Sequence, residues 1–115
     1  MLNSPPLIIT KFYDFLLYLL PQVAKFPRSE RYLLGERLET ISFEVQELLL
    51  EACYTREKLH LLQKVNVKLE QARYYVRLSK DLKLLSLNCY ENLSKMLNEI
   101  GVQLGGWMKQ QKTKT

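Results

Sequence analysis

The chain has little of what catalytic and cofactor-binding proteins usually rely on. Of its 115 residues one is histidine and two are cysteines. His60 has no Cys-x-x-Cys or His-x-x-His company, and neither Cys53 nor Cys89 lies three to five residues from another customary metal ligand. A zinc site is therefore not expected. Two cysteines make no disulfide framework; both fall in helical patterns, where a buried free thiol is the common case, and a reducing cytoplasmic setting is expected. There is no glycine-rich loop ending in Lys-Ser or Lys-Thr to hold a nucleotide phosphate. A serine nucleophile would have only His60 as an imidazole base, and no nucleophile-elbow motif surrounds any serine. Di-iron bundles use Glu-x-x-His pairs pointing into the core, which Glu36, Glu39, Glu47 and Glu51 do not form, so these read as a solvated or interfacial face. The chain is expected not to be an enzyme and to need no cofactor or metal.

Glycine and proline are also scarce, at four each, which excludes long flexible linkers. Only the first residues and the polar basic tail from about Lys109 to Thr115 are expected to fray. The longest apolar stretch, Leu7 to Leu20, is interrupted by Lys11 and Asp14 and is shorter than the roughly 20 apolar residues that span a bilayer. With no basic region, apolar run and small-residue cleavage site at the start, neither a signal peptide nor a membrane association is expected. Residues 1–115 have room for one domain and one core.

What is present is apolar periodicity. Residues recur at three-and-four spacing almost throughout, and no stretch alternates with period two, so the chain reads as all-α. The first segment runs Ile9, Phe12, Leu16, Leu19, Val23, Phe26, after a Ser4-Pro5 start. Pro21 should kink it or end it early, and Pro27 ends it. The second starts near Ser29, with a core stripe of Leu34, Leu38, Ile41, Val45, Leu48 and Ala52. The third starts near Lys58 and runs Leu61, Val65, Leu69, Ala72, Val76, fading near Asp81. Ser86 can cap the fourth, which runs Tyr90, Leu93, Leu97, Ile100, Leu104, Trp107. Gly101, Gly105 and Gly106 either end that helix near Leu104 or admit a close neighbour. Segments of this length with short connections predict an antiparallel four-helix bundle.

Two segments carry a second apolar face. Tyr32, Phe43, Leu50 and Tyr54 lie opposite the core stripe of the second helix, and Val67, Tyr74 and Leu78 lie opposite that of the third. A surface helix should be polar there, so these residues predict an oligomer interface. Charge is divided as well. Residues 1–55 carry five basic and seven acidic side chains and residues 56–115 twelve and five, so halves of −2 and +7 give the net +5. On the third helix Arg73, Arg77 and Lys80 share a sector of roughly 60°, Lys64 and Lys68 lie on the other flank, and Lys83 follows beyond. Such cations suit phosphate backbones. They equally suit the glutamates of the second helix, and the sequence leaves both partners open.

Three stretches go beyond periodicity: Lys25-Phe26-Pro27-Arg28-Ser29-Glu30-Arg31-Tyr32-Leu33-Leu34-Gly35-Glu36-Arg37-Leu38, Arg77-Leu78-Ser79-Lys80-Asp81-Leu82 and Asn98-Glu99-Ile100-Gly101-Val102-Gln103-Leu104-Gly105-Gly106-Trp107. In order and spacing they resemble the accessory variability determinant (Avd) family of diversity-generating retroelements, over nearly the whole chain. The resemblance implies a four-helix bundle assembled into a homopentameric barrel. It implies binding to the element's reverse transcriptase and to RNA and DNA, mainly through the nucleic-acid backbone. It implies a need for the protein in mutagenic retrohoming, in which error-prone copies of a template repeat replace a variable repeat, without polymerase chemistry of its own. On that basis Lys64, Lys68, Arg73, Arg77, Lys80 and Lys83 are the candidate contacts to nucleic acid or transcriptase. Two alternatives stand beside it. Bundle proteins encoded in ribosomal RNA intervening sequences share the fold but usually carry an Asn-Ile-Ala-Glu-Gly-like segment, which is absent here. A structural oligomer without nucleic-acid affinity is the other.

Overall fold

The computed structural model describes residues 6–113, and over them the chain is helical with no strand. The four long helices are α1 (Leu7–Ala24), α2 (Glu36–Tyr54), α3 (Leu59–Asp81) and α4 (Leu87–Thr113). Only residues 55–58 join α2 to α3, and 82–86 join α3 to α4, so successive helices double back on each other. α1 and α3 each pack against both α2 and α4, which closes a four-membered bundle. Its 46 Å long axis accommodates α4, whose 27 residues span roughly 40 Å.

The expected stripes line one core. Phe12, Leu16, Leu19 and Val23 of α1 meet Leu38, Val45 and Ala52 of α2, Leu61, Val65, Leu69 and Val76 of α3, and Leu93, Leu97, Ile100 and Leu104 of α4. Phe15, Leu49, Leu62 and Cys89 are buried beside them, because a core-facing stripe is wider than one residue in every turn. Leu49 therefore takes the place expected for Leu48, which is only partly buried against the cluster. Ser86 caps α4 as expected, its Oγ accepting the backbone N–H of Cys89 at 3.1 Å. Ser4-Pro5 lies outside the described residues.

Three local expectations are corrected. α1 does not end early at Pro21, one of the two outcomes expected there, but continues to Ala24; Leu19 and Val23, fully buried on either side, help offset the roughly 3 kcal/mol that an internal proline costs. α4 runs straight through Gly101, Gly105 and Gly106 to Thr113, into the segment expected to fray. Trp107 and Met108 pack against the core there, and Gln111 is buried. The full α1, with 18 residues and a mean hydropathy of 1.3, is long and apolar enough to cross a membrane, which Leu7–Leu20 alone did not suggest. In the fold Ile8, Phe12, Phe15, Leu16, Leu19 and Val23 are core residues instead.

The turn from α1 into α2 was not foreseen. After Pro27 a helical turn, Arg28–Glu30, leads without interruption into a π-helical turn, Arg31–Gly35, which continues as α2. A Cβ on buried Gly35 would lie 2.9 Å from Val23 Cγ1, so only glycine lets this turn close onto the end of α1. The wider i→i+5 turn shifts helical phase. Leu34 and Gly35 turn inward while Tyr32 and Leu33 stand outward, 65% and 70% exposed.

Candidate nucleic-acid interface

The three cations grouped by sequence on one flank of α3 do different things. Arg73 crosses to α4, where Nη2 donates to the Leu97 carbonyl oxygen at 3.2 Å and Nη1 donates to Asn98 Oδ1; its Nε lies 3.6 Å from Glu70. A Cβ at Gly101 would sit 2.8 Å from Arg73 Nη2, so the glycine makes room for the guanidinium over α4. Arg73 is thus a clamp between two helices. Arg77 is exposed and faces Asp81 at 3.9 Å. Lys80 reaches the same carboxylate at 3.1 Å, and its Nζ lies 4.6 Å from the centroid of the Tyr90 ring. Arg73 and Arg77 line a groove of about 340 Å³ between α3 and α4, together with Tyr74, Tyr90, Ser94 and Asn98.

Lys64, Lys68 and Lys83 also differ from one another in their surroundings. Lys68 pairs with Glu44 of α2 at 3.1 Å, the one place among the described residues where the acidic second helix and the basic third neutralise each other. Lys64 is exposed near the start of α3. Lys83 lies beyond its end at a left-handed φ of 64°. Neither makes an ion pair among the described residues.

The second apolar faces lie on the surface of the single chain. Phe43, Leu50 and Tyr54 are exposed on α2, and Val67, Tyr74 and Leu78 on α3. Tyr32 is exposed as well, on the π-turn that leads into α2. Glu36, Glu47 and Glu51 are exposed on α2 and unpaired among the described residues.

Sequence reasoning missed a second cationic group. Lys25, Arg28, Arg31 and Arg37 surround the α1–α2 corner, all exposed. The net negative charge of the first half concealed them. The signal available was their three-residue spacing around Pro27.

Elsewhere the surface offers little for bond-making chemistry. Among the described residues no group of three or more histidine, cysteine, aspartate or glutamate side chains could hold a metal ion. Glu57 and His60 have Glu-x-x-His spacing, but both are exposed at the α2–α3 corner. Cys53 and Cys89 are free thiols. Burial pushes the Cys53 thiol above its ordinary range, partly offset by the Lys58 ammonium, which disfavours the nucleophilic thiolate.

A helical bundle with outward apolar faces and cationic flanks defines the class of this protein. The chain belongs to the bAvd-like family, whose profile matches residues 7–111, and is an Avd-type accessory protein. No curated protein matches it.

Proposed function

We propose that this chain is the non-catalytic accessory protein of a diversity-generating retroelement. It binds the element's reverse transcriptase and RNA or DNA in the cytoplasm, works as a homopentamer, and is required for mutagenic retrohoming. The observation that carries this is the family match across residues 7–111, nearly the whole chain. Exposed Phe43, Leu50, Tyr54, Val67 and Leu78 support subunit contacts, because two helices that stay apolar on their outer faces need a cover. Exposed Arg77 and partly exposed Lys80 support backbone contacts to nucleic acid. The decisive experiment deletes the gene in a host carrying the reverse transcriptase with paired template and variable repeats. Adenine-directed variation in the variable repeat should cease, and variation that continues would refute the role. Light scattering coupled to gel filtration should give five times the 13.6 kDa protomer mass.

A second reading, a structural oligomer without nucleic-acid affinity, is favoured by one observation. Lys68, Arg73, Arg77 and Lys80 each have a carboxylate within ion-pair distance in their own chain. Replacing Arg77 and Lys80 together with glutamine separates the two. Weaker RNA binding by an intact oligomer supports the accessory role; no RNA binding by the wild type supports the structural one.

A further inference from the structure

The cations at the α1–α2 corner differ from those of α3 in having no carboxylate partner. Lys25 follows α1, Arg28 opens the turn after Pro27, Arg31 begins the π-turn, and Arg37 stands in the first turn of α2. None forms an ion pair among the described residues, although Glu30 and Glu36 lie in the same segment. Residues 25–37 hold four cations and two glutamates, a net of +2, while the rest of residues 1–55 nets −4. The positive charge is therefore concentrated in an otherwise acidic half. Arg31 Nη1 donates to the Ala24 carbonyl oxygen at 3.4 Å, which folds its guanidinium back onto the end of α1.

An aromatic ring stands among these charges. The Arg28 guanidinium carbon lies 5.9 Å from the centroid of Tyr32. Tyr32 also lines an open cleft of about 420 Å³ with Leu33, Glu36, Arg37 and Thr40. Tyr32 and Leu33 stand outward on the π-turn, and π-turns of this kind often mark functional sites. Unpaired cations in one short segment, beside a ring that is 65% exposed, match the chemistry of an unpaired nucleotide strand. A duplex keeps its base faces stacked away from a protruding ring. An acidic peptide would use the cations but leave the ring idle.

We infer that this corner is a docking site for single-stranded nucleic acid, with phosphates on Lys25, Arg28 and Arg31 and an unpaired base stacked on Tyr32. The inference rests on the proposal that the chain binds nucleic acid. It moves the principal contact from α3, where the cations have partners, to the corner, where they do not. It also reassigns Tyr32 from the oligomer contact.

The test is fluorescence anisotropy on the full chain with a labelled twelve-nucleotide oligouridine, a twelve-pair RNA duplex and polyglutamate, at several salt concentrations. Arg28→Gln with Arg31→Gln should weaken oligouridine binding about tenfold or more and flatten the salt slope by about 1.4, the single-strand value for two phosphates. Tyr32→Leu should weaken oligouridine about fivefold to a hundredfold and leave the duplex unchanged, while Tyr32→Phe, which keeps the ring, should bind as wild type. Helix content and oligomer mass of each variant are measured alongside. Corner variants that bind oligouridine normally, while Arg77→Gln with Lys80→Gln does not, overturn the corner and leave nucleic-acid binding standing. A wild type that binds neither RNA overturns both. Polyglutamate bound as tightly as oligouridine, with Tyr32→Leu silent, makes the corner an acidic-protein surface and overturns the inference.

Discussion

Three glycines of one helix should respond oppositely to the same substitution. A Cβ at Gly105 or Gly106 meets nothing within 4 Å. Alanine at either position therefore adds helix propensity at no steric cost, a gain of about 1 kcal/mol. At Gly101 the same Cβ would lie 2.8 Å from Arg73 Nη2 and push the guanidinium away from the Leu97 carbonyl and Asn98. The Arg73 side chain is 32% exposed, so each of those hydrogen bonds contributes toward the low end of the range, about 1 kcal/mol. Two such losses set against one propensity gain leave Gly101→Ala unchanged to about 1 kcal/mol less stable, hence about 1–2 kcal/mol below Gly105→Ala. Guanidinium denaturation followed by far-UV circular dichroism, at one fixed protomer concentration, resolves a difference of that size. In an Arg73→Gln background the clash is relieved, and Gly101→Ala should regain most of the propensity gain. Gly101→Ala as stabilising as Gly105→Ala in the wild-type background would refute the clamp. Destabilisation at Gly105 or Gly106 together with a smaller oligomer mass would instead place the glycine face at a subunit contact.

Gly35→Ala should cost about 1–3 kcal/mol, because its Cβ meets Val23 Cγ1 at 2.9 Å in the core, and thermal melts should show it; a neutral result would mean the π-turn relaxes freely. Ser42→Ala should stabilise by about 1 kcal/mol, since the Oγ is buried without a hydrogen-bond partner; measurable destabilisation by denaturant would show that the hydroxyl is satisfied. Phe43→Glu should reduce the mass seen by light scattering to that of smaller species, because the exposed ring becomes a charge buried at the contact, and an intact oligomer would clear this face of that role. Trp107→Ala should cost about 2 kcal/mol, below the 3–5 kcal/mol of a fully buried aromatic, because the ring is only half-buried against the core; emission typical of water-exposed indole in the wild type would contradict that packing.

How much of this was legible depends on how far each signal reaches along the chain. Core positions such as Leu38, Val45 and Ala52 repeat every turn, so periodicity alone exposes them, and the outward set of Phe43, Leu50 and Tyr54 follows by the same geometry. The Ser86 cap is equally local. The π-turn was invisible because a single widened turn breaks no composition rule. It nevertheless shifts the phase of everything before it, so a wheel of constant pitch does not fix how Tyr32 is set relative to the α2 face. Pairings between helices were out of reach for a different reason. Lys68 with Glu44 and Arg73 with Asn98 depend on how far one helix slides along its neighbour, which periodicity does not fix. Arg77 with Asp81, four residues apart on one helix, could have been read directly.

The α3 cations grouped by sequence can still be ranked as phosphate ligands by what each must give up. Arg77 is 63% exposed and its carboxylate 3.9 Å away; an exposed pair of that length contributes between zero and about 1 kcal/mol. Such a contact is easily exchanged for a phosphate, whose binding is favoured further by counterion release. Lys80 shares the same carboxylate and can keep the Tyr90 ring beneath it while its other donors reach outward. Arg73 is in a different position. Turning toward a phosphate would forfeit its bonds to Leu97 and Asn98 and undo the contact for which Gly101 leaves space. Arg73 therefore holds α3 to α4, and the exchangeable charge on this flank belongs to Arg77 and Lys80.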